Sequence, residues 1–416
     1  MPSISSLKPH RAVAGGRVTL QGQDFPVDDL LPGVSVGGVP ARIAFATSQR
    51  LVITMPPDLE GGAAPIRVAG LPGDTPYVSI GGVWATGLHQ VDSPAFDSHG
   101  NLFVTYSGAR GQGAPVSIFR VTPAGTRQPY ASGIVNATSM AFGPDGQLYV
   151  SSRFEGAVYR VSADGAHEQV ASDLGVACGL AFDAEGWMYV GDRSGTIFRV
   201  RGGRATAFAS LPPSVAAFHL AMRRTGELFV TAPTLGTYDY VYRIDRHGNV
   251  RTLGLPMGRP QGLAFGPDDA LYVVDALAGS SGLFRIPIVE SGPDAEAEIV
   301  VAGAALVGVA WAPSGELVVT SHAPAYRFAS GGGGGEWEVG RPDTAPRGCR
   351  LGRTGFDARG RWSGGSLSGY RRDAARSRRH VRHAFHDRVL QCRREERYLQ
   401  QASGRIGFRV AADLHP

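Results

Sequence analysis

An internal repeat constrains the fold of this chain more strongly than any single motif does. An apolar segment of the type Leu-Ala-Phe, a turn of the type Pro-Asp-Gly and a second apolar segment such as Leu-Tyr-Val recur six times. One shared apolar position marks the repeats at intervals of 40 to 46 residues, at Leu102, Leu148, Met188, Leu228, Leu271 and Leu317. This interval is typical of the four-stranded blades of a propeller. We therefore predict an all-β chain whose main body is a six-bladed β-propeller.

Glycine content supports short strands joined by tight turns. The chain has 58 glycines in 416 residues, about twice the usual share of roughly 7%, and glycine supplies the positive φ that tight turns require. The sixth repeat has only three strand segments, whereas a spare strand precedes the first. We therefore predict that Ser79–Ala85 forms the missing outer strand of the last blade, since an unpaired sheet edge must be covered. On this view, removing residues 1–74 leaves the propeller folded.

The remaining segments lie on either side of the repeat. Residues 1–77 contain short alternating strands with regular turn spacing, which predicts an immunoglobulin-like β-sandwich. Residues 78–329 form the propeller. Residues 330–416 begin with a run of glycines and become rich in Arg. Three interpretations of this tail are a disordered segment that binds nucleic acid or acidic lipid, a basic amphipathic helix, and frame-shifted sequence. We favour the last, with disorder as its physical state.

Charge and composition exclude some classes of function. The chain carries a net charge of +5, but the segment from Gly331 onward contributes +9, which leaves −4 for the rest. No nucleic-acid partner is expected for the folded part. Only Cys178 lies before the tail, so no disulfide framework is expected there. The start lacks the apolar stretch of a signal peptide and no segment is long enough to cross a bilayer, so we expect no membrane partner and a cytoplasmic protein.

Polar residues recur in the loops that precede the inner strands and in the loops between the second and third strands. In a propeller these loops meet at one end of the channel, where ligands usually bind. The predicted ligand-binding residues are His89, Asn136, Arg153, Asp192, Arg193, His219, Arg259 and His322. Any one of them can equally serve only to satisfy buried backbone groups. Cys178 is a candidate nucleophile near His219, but a single cysteine beside an apolar strand is usually a small core residue.

Two stretches of the first segment resemble a known family. Ala14–Phe25 and Val36–Ala41 are similar to the IPT/TIG family of immunoglobulin-like domains. The resemblance implies a spacer or interaction module that could contact a protein partner. It implies no catalytic residues.

The repeats resemble two propeller families. The Pro-Asp-Gly-x-Leu-Tyr-Val signature is similar to NHL repeats, which are mostly binding scaffolds. The ring also resembles the senescence-marker-protein/gluconolactonase family, whose members hydrolyse lactones with a divalent metal. That resemblance implies an oxygen ligand set for Ca²⁺ or another divalent metal at Asp92, Asn136, Gln261 and Asp275. Asp92 and Gln261 differ from the family residues by one methylene, and metal–oxygen distances tolerate only about ±0.2 Å.

Two functions remain open at this point. The first is a binding protein that recognises a small molecule, sugar or peptide at the mouth of the channel. The second is a metal-dependent lactonase. The altered ligand positions favour the first, because a fold alone does not establish an activity.

Overall fold

The computed structural model describes residues 2–27, 30–73, 75–88, 93–275, 281–289 and 296–329. Within these ranges the chain forms strands and turns, and none of their segments is a helix that could span a membrane. The Arg-rich tail predicted from residue 330 onward lies outside the described residues.

The first domain is built from eight strands. They are β1 (Ser3–Lys8), β2 (Arg11–Ala12), β3 (Arg17–Gln23), β4 (Val34–Val36), β5 (Val39–Thr47), β6 (Arg50–Thr54), β7 (Gly62–Val68) and β8 (Tyr77–Ile80). Hydrogen bonding joins them in the order β1-β3-β6-β5-β4-β7-β8-β2. On β3 and β6 the inward residues alternate with period two, so that Val18 pairs with Ile53 and Leu20 with Leu51, all fully buried. This buried face is why the segment folds as a sandwich.

The repeat region contains twenty-four described strands. They are β9 (Gly82–Ala85), β10 (Ala95–Phe96), β11 (Leu102–Thr105), β12 (Ile118–Val121), β13 (Arg127–Ala131), β14 (Ala137–Phe142), β15 (Leu148–Ser152), β16 (Ala157–Val161), β17 (His167–Ala171), β18 (Ala177–Phe182), β19 (Met188–Asp192), β20 (Thr196–Arg201), β21 (Arg204–Ser210), β22 (His219–Met222), β23 (Leu228–Thr231), β24 (Val241–Ile244), β25 (Val250–Thr252), β26 (Pro260–Phe265), β27 (Leu271–Asp275), β28 (Gly282–Ile286), β29 (Glu298–Ala302), β30 (Leu306–Trp311), β31 (Leu317–Ser321) and β32 (Ala325–Phe328).

These strands form five separate four-stranded sheets, where the sequence predicted six. Four of the sheets are β10–β13, β14–β17, β18–β21 and β22–β25, and the fifth joins β30, β31 and β32 to β9. The fifth repeat, β26–β29, has the same antiparallel order, but its outer strand β29 also pairs with β2. That extra pairing merges the repeat with the first domain into one twelve-stranded sheet. The difference from the prediction therefore arises where the two domains meet.

The inner strands of successive repeats contact one another in a closed cycle. The strands β10, β14, β18, β22, β26 and β30 each contact the next, and β30 contacts β10. Aromatic pairs reinforce these contacts, because a ring on the second strand packs edge-on against a ring on the next inner strand, as Phe103 does with Phe142 and Tyr272 with Trp311. The result is a propeller-like arrangement of small sheets around a central channel.

The strand predicted to close the last repeat is present, with different bounds. In β9, Ala85 pairs with Ala325 and Val83 with Tyr326, which confirms that a segment before the first repeat closes the last sheet. Ser79, however, belongs to β8 and pairs with Ala63 of the first domain. The change of partner occurs after β8, where the chain crosses from one domain to the other.

The first domain also covers the edge of β29. The backbone N–H of Val13 donates to the carbonyl of Ala302 at 2.9 Å, and the Val13 side chain packs in one cluster with Val301 and Phe328. At Gly16 a Cβ would lie 2.3 Å from the Ala302 oxygen, so only glycine allows this approach. Removing residues 1–74 would expose the β29 edge and take Val13 from this cluster, which the sequence-based expectation did not foresee.

Candidate ligand-binding channel

Strand pairing brings the predicted loops to one end of the repeats, which we call the mouth. The residues that begin the inner strands pair with those that end the second strands, as in Ala137 with Ser152, Ala177 with Asp192, His219 with Thr231, Pro260 with Asp275 and Leu306 with Ser321. The described candidates at the mouth are Asn136, Arg153, Asp192, Arg193, His219, Arg259, Gln261, Asp275 and His322. His89 and Asp92 lie outside the described residues.

Two aspartates at the mouth hold the loops that precede the inner strands. Asp275 is buried, and its carboxylate accepts hydrogen bonds from the backbone N–H groups of Gly258 at 2.9 Å and Arg259 at 2.7 Å. Asp192, also buried, accepts from Val176 N–H at 2.7 Å and from the Ser194 hydroxyl. Each carboxylate therefore ties its strand end to the preceding loop.

Asn136 has a similar role between neighbouring repeats. Its amide donates to the carbonyls of Gly108 at 2.9 Å and Ala109 at 3.1 Å, and its oxygen accepts from Gly111 N–H at 2.8 Å. The residue has a φ of +49°, a conformation that Asn tolerates better than most residues. We call Asn136, Asp192 and Asp275 the loop clamps.

Two residues of the predicted metal ligand set are loop clamps. Asn136 uses its side-chain oxygen and nitrogen for a loop, and Asp275 uses both carboxylate oxygens for backbone N–H groups. Within the described ranges, no three residues of the His, Cys, Asp and Glu types are grouped closely enough to hold a metal ion. Asn136 and Asp275 therefore hold loops, and the metal ligand set that includes Asp92 stays a prediction.

Three arginines lie at the mouth with partly exposed side chains. Arg193 donates from Nη2 to the carbonyl of Val215 at 2.9 Å, and Arg153 and Arg259 share its intermediate exposure. Arg153 and Arg193 both lie near Cys178, whose pKa burial raises to about 11 despite the two positive charges. The thiol is therefore protonated at neutral pH, which argues against Cys178 as a nucleophile.

A cavity of about 230 Å³ occupies the centre of the ring. Its wall consists of inner-strand residues and the segment before β10: Ser93, Pro94, Ser139, Met140, Leu180, His219, Leu220, Leu263, Ala264, Phe265, Val309, Ala310 and Trp311. None of these residues is charged at neutral pH, because burial keeps the His219 ring neutral. Most of the lining residues are apolar by type, but polar atoms make up the larger share of the wall surface that faces the cavity.

His219 provides an acceptor in this wall. It is 2% exposed, and its Nδ1 lies 3.4 Å from the Thr231 hydroxyl. That hydroxyl donates its one hydrogen to the carbonyl of Gln261 at 2.6 Å, so it can only accept from His219. The hydrogen of the neutral ring is therefore assigned to Nδ1, which leaves the lone pair on Nε2. This Nε2 is buried and has no hydrogen-bond partner.

Burial keeps the His219 ring neutral. It lowers the pKa of His219 from 6.5 to about 4, and no charged group contributes to the shift. The residue therefore acts as a hydrogen-bond acceptor, and not as a cation, at neutral pH.

The repeat itself makes His219 unusual. The corresponding position in the other five repeats holds Ser93, Ser139, Gly179, Gly262 and Gly308. A large polar ring thus replaces a small residue in one repeat of six. This departure from the repeat is the sequence signal that distinguishes His219 from the other polar residues at the mouth.

Exposed apolar side chains on the mouth loops were missed by sequence reasoning. Leu235 is 89% exposed and Tyr238 64% exposed in the loop after β23, and Phe154 is 53% exposed in the loop after β15. The loop after β23 spans residues 232–240, whereas the loop after β19 spans only 193–195. The unequal lengths of these loops were the sequence signal that could have pointed to the exposed apolar side chains.

The first domain matches a protein family. Residues 2–80 match the family model of the IPT/TIG domain. Residues 179–200 match part of the model described as strictosidine synthase-like, N-terminal. No curated protein matches the chain.

Several solved structures are similar in part. An auxiliary nutrient binding protein from Bacteroides thetaiotaomicron is 12% identical with a TM-score of 0.45, over 79% of this chain and 97% of that one. A virginiamycin B lyase from Staphylococcus aureus is 18% identical with a TM-score of 0.43, over 57% and 78%. A protein provisionally named gluconolactonase is 14% identical with a TM-score of 0.46, over 59% and 90%. The chain thus carries an IPT/TIG domain followed by a propeller-like arrangement of small sheets.

Proposed function

We propose that this chain is a binding protein with six propeller blades, which takes a small molecule, sugar or peptide into its central cavity through the mouth. In this proposal β26–β29 is the fifth blade, and its pairing with β2 fixes the first domain to the ring. The first domain then offers a second surface, for a protein partner.

The observation that carries the proposal is the central cavity of about 230 Å³, which residues of all six repeats line. A preformed concave site of this kind is where small ligands usually bind. The exposed side chains of Phe154, Leu235 and Tyr238 add apolar surface at the mouth.

Binding without catalysis is the better supported of the two functions. The described cavity wall contains no carboxylate and no thiol. Asn136 and Asp275, expected from resemblance to bind a metal, are loop clamps. No contact in the described residues specifically favours the lactonase alternative.

Methyl-resolved NMR tests the proposal directly. The labelled protein would be titrated with sets of monosaccharides, amino acids and dipeptides. We expect a binder to shift the methyl signals of Leu180, Leu220 and Leu263, which line the cavity. The variant Ala310→Phe should abolish these shifts by filling the cavity, whereas Ala63→Phe, at an exposed position of β7, should not. Binders that shift only signals remote from the cavity would contradict the proposal.

A further inference from the structure

A second concave site lies at the end of the repeats opposite the mouth. The last residues of three consecutive inner strands, Phe142, Phe182 and Met222, line it together with residues of the turns that follow them. Its volume is about 460 Å³, within the range of about 300–1,000 Å³ that small-molecule sites usually occupy. We call this site the turn groove.

Arginines outnumber carboxylates in the turn groove. Its charged lining residues are Arg199, Arg223, Arg224, Arg246, Asp183 and Glu185. The Asp183 carboxylate is committed to its own turn, because it accepts from the backbone N–H groups of Glu185 at 3.0 Å and Trp187 at 2.9 Å. Arg223 is buried and forms an ion pair with Asp269 at 2.8 Å. Within the described residues, three arginines of the groove thus have no carboxylate partner, against one exposed carboxylate, that of Glu185.

Comparison of the repeats shows why Arg199 has no such partner. Every repeat has an arginine at this position of its third strand. The other five pair with an acidic or amide side chain, as Arg120–Gln128, Arg160–Glu168, Arg243–Glu227, Arg285–Asp268 and Arg327–Glu316. Arg199 instead lies over the ring of Trp187, with Cζ 4.3 Å from the ring centroid. Trp187 occupies the position of Glu227 and Glu316, so this repeat has an aromatic ring where two others have the paired acid.

Two exposed arginines lie together on the wall formed by the fourth repeat. Arg246 donates from Nε to the carbonyl of Thr225 at 2.7 Å, and Arg224 is the residue before Thr225. Both arginines are exposed. In Arg199 only Nε is buried without a partner, so a ligand can reach that guanidinium at Nη1 and Nη2. Guanidinium groups bind carboxylates and phosphates through charge-assisted hydrogen bonds, so the groove favours an anion.

Apolar side chains form the other part of the groove, which we call the apolar wall. Phe142, Phe182 and Met222 are partly exposed there, and Pro144 is exposed. A purely inorganic anion would leave this surface in contact with water. An apolar group on the ligand would cover it and gain the free energy of hydrophobic burial.

We propose that the turn groove binds a small organic acid, a carboxylate or phosphate monoester with an apolar group. Its anionic group contacts the guanidinium groups of Arg199, Arg224 and Arg246, and its apolar group packs against the apolar wall. This site is separate from the central cavity, so the inference goes beyond the proposed function and does not depend on it.

Methionine-methyl NMR tests the site, because Met222 lines the turn groove and Met140 lines the central cavity. The probes are 3-phenylpropanoate and phenyl phosphate. Their counterparts are 3-phenylpropanamide, which lacks the charge, and acetate and inorganic phosphate, which lack the apolar group. We expect at least one aromatic acid to shift the Met222 signal saturably and to leave the Met140 signal in place. The counterparts should bind at least tenfold more weakly.

Arginine variants test the anionic contacts. Arg224→Gln and Arg246→Gln should each weaken binding of the aromatic acid about tenfold, as the loss of one charge-assisted hydrogen bond does. Arg251→Gln removes an exposed arginine from β25 of the same repeat, outside the groove lining, and is the matched control. It should leave the affinity unchanged.

The repeat supplies a further pair of variants that should keep the fold. Trp187→Glu introduces the residue of the fourth and sixth repeats, and gives Arg199 an acidic partner that competes with the ligand. Trp187→Gln introduces the residue of the second repeat, Gln147, and removes the same ring without adding a charge. We expect Trp187→Glu to bind the aromatic acid at least tenfold more weakly than Trp187→Gln. Equal affinities would remove Arg199 from the site.

Other outcomes overturn the inference in distinguishable ways. Equal binding of the amide and the acid, or binding that neither Arg224→Gln nor Arg246→Gln weakens, would remove the anionic contacts. Equal binding of inorganic phosphate and phenyl phosphate would remove the apolar contact. If the acids shift Met140 and leave Met222 in place, or shift neither signal, the turn groove is not their site. The proposed function of the central cavity would stand or fall on its own titration.

Discussion

The loop clamps and the cavity pair are two sets of polar groups around the same channel, and their hydrogen bonding is opposite. Asn136, Asp192 and Asp275 accept or donate two or three bonds each to loop backbone, which for Asp192 come from the N–H groups of Val176 and Ser194. In the cavity pair, Nε2 of His219 and Nε1 of Trp311 have no partner. The first set is committed to the fold, whereas the two atoms of the second are buried without a protein partner.

Position within the repeat explains this difference. Asp192 and Asp275 are the last residues of second strands. At that point the chain lies beside the loop that leads into the inner strand, so backbone N–H groups of that loop are within hydrogen-bonding distance. The cavity residues lie on the inner strands, which form the edge of each sheet and pair only with the second strand. No described loop folds back beside them as it does beside the clamping aspartates.

The largest effect is expected from removing a clamp. Asp275→Ala should destabilise the protein by about 4 kcal/mol, since hydrogen bonds to a charged group contribute about 1.5–3 kcal/mol each. Urea unfolding followed by tryptophan fluorescence would measure it. Asp275→Ser, which introduces the residue that ends β15, should recover part of the loss. A loss below about 1 kcal/mol for the alanine variant would contradict the structural role.

Protonation of His219 should make stability depend on pH. Its pKa is lowered to about 4 in the folded state from 6.5, so the unfolded chain binds more protons between these values. The free energy of unfolding should therefore fall as pH is lowered from 6.5 to 4, by about 3 kcal/mol at about 1.36 kcal/mol per pKa unit. Denaturant titrations at pH 7 and pH 4 would measure it. His219→Ser should show a decrease smaller by this amount, and an equal decrease in both proteins would refute the burial argument.

A smaller effect is expected at Asn136. Asn136→Gly keeps the positive φ but loses three hydrogen bonds, and should destabilise the protein by about 2 kcal/mol. Asn136→Ala should cost about 1 kcal/mol more, because alanine is strained at positive φ. The difference between their melting temperatures checks this order. If alanine is the more stable of the two, backbone strain is not part of the role of Asn136.

The smallest effect on stability is expected for the cavity pair without ligand. At pH 7, His219→Ser and Trp311→Phe should each change the free energy of unfolding by about 1 kcal/mol or less. Each variant loses packing but also removes an unpaired buried polar atom. Thermal unfolding without added compounds would measure it. A loss above about 3 kcal/mol in either variant would place that residue with the clamps and erase the distinction between the two sets.

The sequence predicted much of the fold because the relevant signals are local. Turn glycines such as Gly146 and Gly226 adopt the positive φ that the Pro-Asp-Gly pattern indicates. The closing strand was also predicted, from a missing strand in the last repeat. The pairing of β2 with β29 was not, since two short strands far apart in sequence carry no pattern that specifies each other as partners.

The sequence by itself determined that the chain is a repeat of short strands behind an immunoglobulin-like domain, and it predicted that a set of polar residues lies at one end of the repeats. Both follow from period-two alternation and turn residues, which act over a few positions. Only the tertiary structure separated Asp275 from His219. Whether a polar atom is satisfied depends on the groups brought close in space, such as the backbone N–H of Arg259 for Asp275 and the side-chain hydroxyl of Thr231 for His219. Those distances are set by how the strands pair and pack, and not by the identity of the residue.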